Sequence, residues 1–322
     1  MYKTIMVPTD CSGFDREAIR VALRLAERSE AKLHLVRVSA NSTFMAMAGN
    51  TDVLALSSAA LQQALDRELA ELYALAAECR TITTADVTTS LEQGSVPDAL
   101  AGYAKRHDVE LIVISTHGRS GFARLSMGSV TDSLIRTTKI PVLVVKPPHS
   151  YLNPQVADGF RRIVVPLDGS VLAEQILPRV ATLAELEDSE LTLLYVLKPE
   201  TYAQEQIQEP MLPWWEKDIA SAEAYLFPMA SKLRRHGLNV SSDIIIGENV
   251  AEKIAEFARS ERADLIAIAT HGRGGLSRLI HGSVADALTK SARTSVFVFH
   301  PAVKLTPTDA KPLVERKVPA FA

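Results

Sequence analysis

One pattern occurs twice in this chain. "STHGRSGFARLSMGSV" at 115–130 returns as "ATHGRGGLSRLIHGSV" at 269–284, with ten of the sixteen positions identical. A repeat decides the architecture before any single residue does, because each copy must be a folding unit. The match extends outward from this segment. "YKTIMVPTDCS" at 2–12 pairs with "FRRIVVPLDGS" at 160–170, and "LHLVRV" at 33–38 pairs with "LTLLYV" at 191–196. "LEQGSVPDAL" at 91–100 has the looser partner "IIIGENVAEKI" at 244–254, and "DVELIVIS" at 108–115 pairs with "RADLIAIA" at 262–269. The order is the same in both halves and the offset stays between 153 and 158 residues. The 322 residues therefore predict two domains, at 1–148 and 158–303, joined by the proline-containing stretch 147–159.

Within each copy, short apolar runs alternate with helical patterns. In the first, strands are expected at 4–8, 33–38, 87–92, 111–115 and 142–145. Ala18, Ile19, Ala22, Leu23 and Ala26 recur with helical spacing, and helices are expected at 58–79, 96–106 and 130–138. Strands that alternate with helices make βαβ units and a parallel sheet covered on both faces, an α/β fold. The stretches 44–56 and 199–213 interrupt the pattern and read as loops or short helices over a site mouth. The tail after Pro301 reads as poorly ordered.

The bulk numbers narrow the function. A net charge of −3 gives no electrostatic reason to bind nucleic acid or a membrane. No apolar run approaches the roughly 20 residues of a membrane span, and the start of the chain reads as a strand rather than a signal peptide. A cytoplasmic location is the expectation. Cys11 and Cys79 are the two cysteines; so far apart, they suggest neither a disulfide framework nor a metal site.

The duplicated loop leaves the carboxyl end of a strand and enters a helix. Ligands of open α/β sheets bind at such ends, where the winding reverses. Gly118 and Gly121, like Gly272 and Gly275, remove the Cβ atoms that would hold a ligand away from the backbone. Gly128, Ser129 and Val130, like Gly282, Ser283 and Val284, open the next helix, where unpaired N–H groups and the helix dipole favour an anion. Arg119 and Arg124, like Arg273 and Arg278, add positive charge. These parts suit a phosphate chain. The same serines could equally cap the helix. Asp10 in "VPTD" and Asp168 in "VPLD" end the first strand of each copy, where a carboxylate can accept hydrogen bonds from a ribose or an adenine amino group, or cap a helix. His117 and His271 read as turn histidines, and Trp214 with Trp215 as a packing or lid element. The sequence contains no G-x4-G-K-[ST] loop.

With its "VPxD" strand ends and its G-x2-G-x9-G-[ST] spacing, the chain resembles a tandem universal stress protein over both halves. Ser115 and Ala269 stand where the first glycine of that spacing would be. The resemblance implies two Rossmann-like domains, each a five-stranded parallel sheet in order 3-2-1-4-5. It implies ATP, with Mg2+ as an accompanying cation. Adenine would lie near Pro8, Thr9, Asp10 and Val38 in one copy, and near Pro166, Leu167, Asp168 and Val196 in the other. The phosphates would lie on the glycine loops. It further implies an intramolecular pseudo-dimer through the last strand of each copy, or a homodimer. The function expected is a regulatory or chaperone-like stress response governed by adenine nucleotide. The alternatives are a slow ATPase and a nucleotide-free dimerising scaffold. Against efficient catalysis, the loop has no lysine and no evident general base.

Overall fold

The computed structural model describes residues 1–39, 51–115, 128–146, 159–199, 214–270 and 282–301. The chain divides into two compact units, Met1–Pro148 and His149–Ala322. The first contains β1 (Thr4–Pro8), α1 (Arg16–Ser29), β2 (Lys32–Ser39), α2 (Thr51–Ile82), β3 (Val87–Gln93), α3 (Val96–Arg106), β4 (Leu111–Ser115), α4 (Ser129–Thr137) and β5 (Val142–Val145). The second contains β6 (Arg162–Leu167), α5 (Val171–Glu174), α6 (Leu177–Glu187), β7 (Glu190–Leu197), α7 (Trp214–Arg235), β8 (Asn239–Ile246), α8 (Val250–Ser260), β9 (Leu265–Ala269), α9 (Ser283–Ser291) and β10 (Ser295–Phe299).

The apolar runs become strands because helices cover them on both faces. Ile5, Met6 and Val7 of β1 and Leu111, Ile112 and Val113 of β4 are wholly buried. The strand order is β3-β2-β1-β4-β5 in the first unit and β8-β7-β6-β9-β10 in the second. Every pairing within a unit is parallel. The expected α/β class and the 3-2-1-4-5 order are both observed. β1 lies between β2 and β4, as β6 lies between β7 and β9, so the winding reverses beside β1 and β6. That is where a parallel α/β sheet opens a crevice at its carboxyl edge.

Carboxylates fasten the opposite edge. Glu110 accepts the Lys3 N–H at 2.7 Å. Asp264 accepts those of Arg161 and Arg162 at 2.9 and 3.0 Å. Glu187, with 0% exposure, accepts that of Phe160 at 2.9 Å.

One local reading needs correction. Helix α2 begins at Thr51 and runs for 32 residues, so the later part of 44–56, read as loops or short helices, belongs to one long helix. Its Leu- and Ala-containing residues are good helix formers, and no Pro or Gly intervenes to stop it. In the second unit the helix after the first strand is split. Pro178 lacks an N–H and occupies the first turn of α6, which closes α5 ahead of it. Stretches 147–158 and 200–213 and the tail from 302 lie outside the described residues.

A titratable group also sits at the amino edge of the first unit. His34 of β2 donates to or accepts from Tyr103 Oη at 2.7 Å. Burial, then His107 at the end of α3, then Lys32 hold its pKa below the usual histidine value, against the opposing pull of Asp86. The folded state therefore resists a proton that the unfolded chain takes up below about pH 6.5. The stability tied to His34 is present above that pH and is lost as pH falls through it. Urea unfolding of the whole chain across this range should show the loss, and His34→Thr should flatten it. An equally steep profile in the variant would refute the assignment.

Candidate functional site

Each site is built at the reversal point, and the same turn is found in both units. After β1, the Asp10 Oδ1 accepts the Ser12 N–H at 2.9 Å. After β6, the Asp168 Oδ1 accepts the Ser170 N–H at 3.0 Å. The residue between them is left-handed in each case, Cys11 at φ 58° and Gly169 at φ 84°. Such a turn holds the carboxylate at the carboxyl edge of the sheet instead of letting it swing. Neither aspartate caps a helix. The residue before α1 is Asp15, and the cap of α5 is Ser170, whose side chain accepts the Ala173 N–H at 3.1 Å.

Strand register brings the other expected residues together. Pro8 pairs with Val36 and Pro166 with Leu194, so two residues on Val38 and Val196 come level with the two aspartates. The Thr9 N–H donates to the Val36 carbonyl at 2.9 Å and holds the strand end. Across the reversal, Ile5 pairs with Leu111 and Ile163 with Leu265. The same register sets Ser115 and Ala269 beside Thr9 and Leu167.

Helices α4 and α9 point their first turns at this edge. Gly128 and Gly282 occupy their cap positions, and neither helix has a side-chain cap. Ser129 and Ser283 are the first helical residues, so the reading of these serines as helix caps is not met. Thr131 Oγ1 donates to the Ser115 carbonyl at 3.2 Å, tying α4 to β4. The Gly282 N–H donates to the Thr270 carbonyl, tying α9 to the end of β9. Val130 and Val284 follow in each helix, both partly buried. Gly118, Arg119, Gly121, Gly272, Arg273 and Gly275 lie outside the described residues, as do Arg124, Arg278, His117 and His271. Trp214 and Trp215 are the first residues of α7.

Behind the turn the two units differ. In the first, Arg37 of β2 is only 4% exposed. Its guanidinium donates to Glu71 Oε2 of α2 at 2.7 Å, with Glu68 at 3.8 Å, and it also reaches the Cys11 thiol. Thr9 Oγ1 donates to Asp15 and accepts the Cys11 N–H. Burial raises the Cys11 thiol, and Arg37 draws it partly back, so it carries little thiolate at neutral pH. In the second unit the Arg37 position is Tyr195, which meets Tyr225 of α7 edge-to-face at 5.9 Å. Burial, then Glu174, then Asp168 raise the Tyr225 phenol, which stays protonated. Sequence spacing did not reveal Arg37 or Tyr225, because their partners sit on the crossover helices.

A second feature missed from sequence follows the last strand. Lys146 comes directly after β5, and burial draws its pKa down to about 8. His300 holds the matching place after β10, with Nδ1 at 2.9 Å from Thr270 Oγ1. Among the described residues no group of three or more His, Cys, Asp or Glu could hold a metal ion, and no helix is long and apolar enough to cross a membrane.

Comparison with known proteins gives one consistent result. The model of the Universal stress protein family matches this chain twice, at 1–146 and 159–300. A universal stress protein of Mycobacterium bovis is 27% identical over 197 residues, 60% of this chain and 62% of the relative. The match thus spans less than two thirds of that relative's length. A universal stress protein of Mycolicibacterium smegmatis is 25% identical over 304 residues, 92% of this chain and 97% of the relative. The crystal structure of a universal stress protein from Archaeoglobus fulgidus superposes with a TM-score of 0.62 at 17% identity, covering 92% of this chain and 98% of that one. At that identity the likeness supports the fold alone.

Proposed function

The chain belongs to the universal stress protein family, and from that premise we propose that each of its units binds one adenine nucleotide, ATP with Mg2+, to regulate a cytoplasmic stress response. One observation carries this reading. Both units hold an aspartate in the same Asx turn at the reversal point, and in both the helix after the fourth strand starts at a glycine. A helix cap, the competing explanation for Asp10, is excluded by the position of α1. An uncapped first turn offers N–H groups and the positive end of a dipole to an anion. The aspartate and the neighbouring Val38 or Val196 suit the polar and flat parts of a nucleoside.

In this reading Pro8, Thr9, Asp10 and Val38, with Gly118, Arg119, Gly121, Gly128, Ser129 and Val130, hold the first nucleotide. Pro166, Leu167, Asp168 and Val196, with Gly272, Arg273, Gly275, Gly282, Ser283 and Val284, hold the second. The domains taken are 1–148 and 158–303. The test is mass spectrometry of the nucleotide carried through purification of the whole chain, followed by calorimetric titration with ATP and Mg2+. Two equivalents bound per chain are expected. No co-purifying nucleotide and no heat of binding would overturn the proposal and favour a nucleotide-free scaffold.

A further inference from the structure

The amino edge of the first unit carries a second constellation, a strand's length from the aspartate turn. His34, Tyr103 and His107 form one contact cluster. The His34 and His107 ring centroids are 5.5 Å apart with the planes inclined at 52°. His107 stacks on Tyr103 at 4.1 Å. Both histidines line one open groove of about 780 Å³, together with Glu30, Asp108 and Lys32.

The duplication supplies an internal control. The register that sets His34 opposite Met6 sets Thr192 opposite Val164. Tyr103 is matched in α8 by Phe257, and His107, the residue closing α3, is matched by Glu261 closing α8. The second unit builds the same strand and helix with Thr, Phe and Glu, so the scaffold does not require the His–Tyr–His set.

We propose that His34 and His107 form a two-imidazole site for a borderline divalent transition metal such as Cu2+ or Zn2+, with Tyr103 as the outer-shell partner. The spacing suits it. Metal–nitrogen bonds of about 2.0–2.1 Å at a tetrahedral angle place two imidazole centroids about 5 Å apart. The His34 Nδ1 engages Tyr103 Oη at 2.7 Å; with Nδ1 as the donor, Nε2 keeps the lone pair that a ligating imidazole needs. Imidazole nitrogen favours Cu2+ and Zn2+ over Mg2+ and Ca2+. The groove's open side leaves the remaining coordination positions to water. With two imidazoles supplying the binding, the ion exchanges freely and Cu2+ binds more tightly than Zn2+.

The experiment is calorimetric titration of the nucleotide-free whole chain with Cu2+ and with Zn2+ at about pH 7.5, on the parent and on two variants. His107→Gln removes an exposed ligand without touching the core. Tyr103→Phe installs the second unit's residue and should weaken binding about tenfold or more through the lost outer-shell bond. One saturable equivalent is expected in the parent and is lost in His107→Gln. Absence of a saturable site in the parent, or an unchanged isotherm in His107→Gln, overturns the proposal. Circular dichroism melts of the variants confirm that each is folded.

Discussion

Asp168→Ala should empty the second nucleotide site, and Asp10→Ala the first, each lowering affinity at its own site by about 10- to 100-fold. A hydrogen bond to a charged group is worth about 1.5–3 kcal/mol, and each 1.4 kcal/mol is a factor of ten. The substitution also takes away the acceptor of the Ser170 or Ser12 N–H, so the turn that presents the first-strand end loosens as well. Asparagine separates the two effects. Asp168→Asn keeps an oxygen for the turn bond but loses the charge, so its affinity should fall between parent and alanine. The measurement is ATP titration of the whole chain with the other site disabled by its own alanine. Affinity within about threefold of the parent in both single-site backgrounds would remove the aspartates from the binding site.

Phe160→Ala should destabilise the second unit by about 3–5 kcal/mol. Phe160 has 0% exposure and is among the largest fully buried side chains. It stands two residues before β6, the central strand of its sheet, and its backbone is bound on both sides. Its N–H donates to the wholly buried Glu187, and its carbonyl accepts from Ser189 Oγ. With both bonds held there, the backbone cannot collapse into the space the ring leaves, and the cavity remains. For a unit of this size the loss corresponds to a fall in Tm of roughly 6–20 °C. Hydrogen exchange resolves the two units. Protection should drop in β6 and β7 and stay at the parent level in β1 and β2. A fall below about 1 kcal/mol, or equal loss in both units, would contradict this account.

Strands were legible in the sequence because a parallel strand buried on both faces must be apolar along its length. "TIMVP", "LIVIS" and "VLVV" leave few other options. The duplication exposed the units, and the family resemblance supplied the strand order, which periodicity alone could not. The start of α2 at Thr51 is not marked in the sequence, because no breaker separates the short helix or loop expected before residue 57 from the helix expected from 58. The roles of Ser129 and Ser283 depended on which residue took the cap position. Gly128 and Gly282 take it, a displacement of one residue that composition does not reveal. Arg37 reads in sequence as one more residue of a β-run. Its ion pair with Glu71 spans 34 positions, and the contact of His34 with Tyr103 spans 69. Pairs of that separation exist only once the crossover helices have packed.

The position of β1 and β6 in mid-sheet has a consequence for synthesis. During translation β1, β2 and β3 emerge first and can pair, but β4 arrives only after residue 110. Until then β1 presents an unpaired, fully apolar edge, because no hairpin partner exists in a sheet whose every pairing needs a crossover. The second unit repeats the delay with β6 waiting for β9. Since "LIVIS" and "LIAIA" are near copies, a β4 not yet in place can fill the edge that β6 offers to β9. Exchange of strands between repeats is a known failure of tandem chains. The outcome turns on timing: completing the first sheet before β6 leaves the ribosome removes the vacancy, so slower elongation between 115 and 160 favours correct assembly.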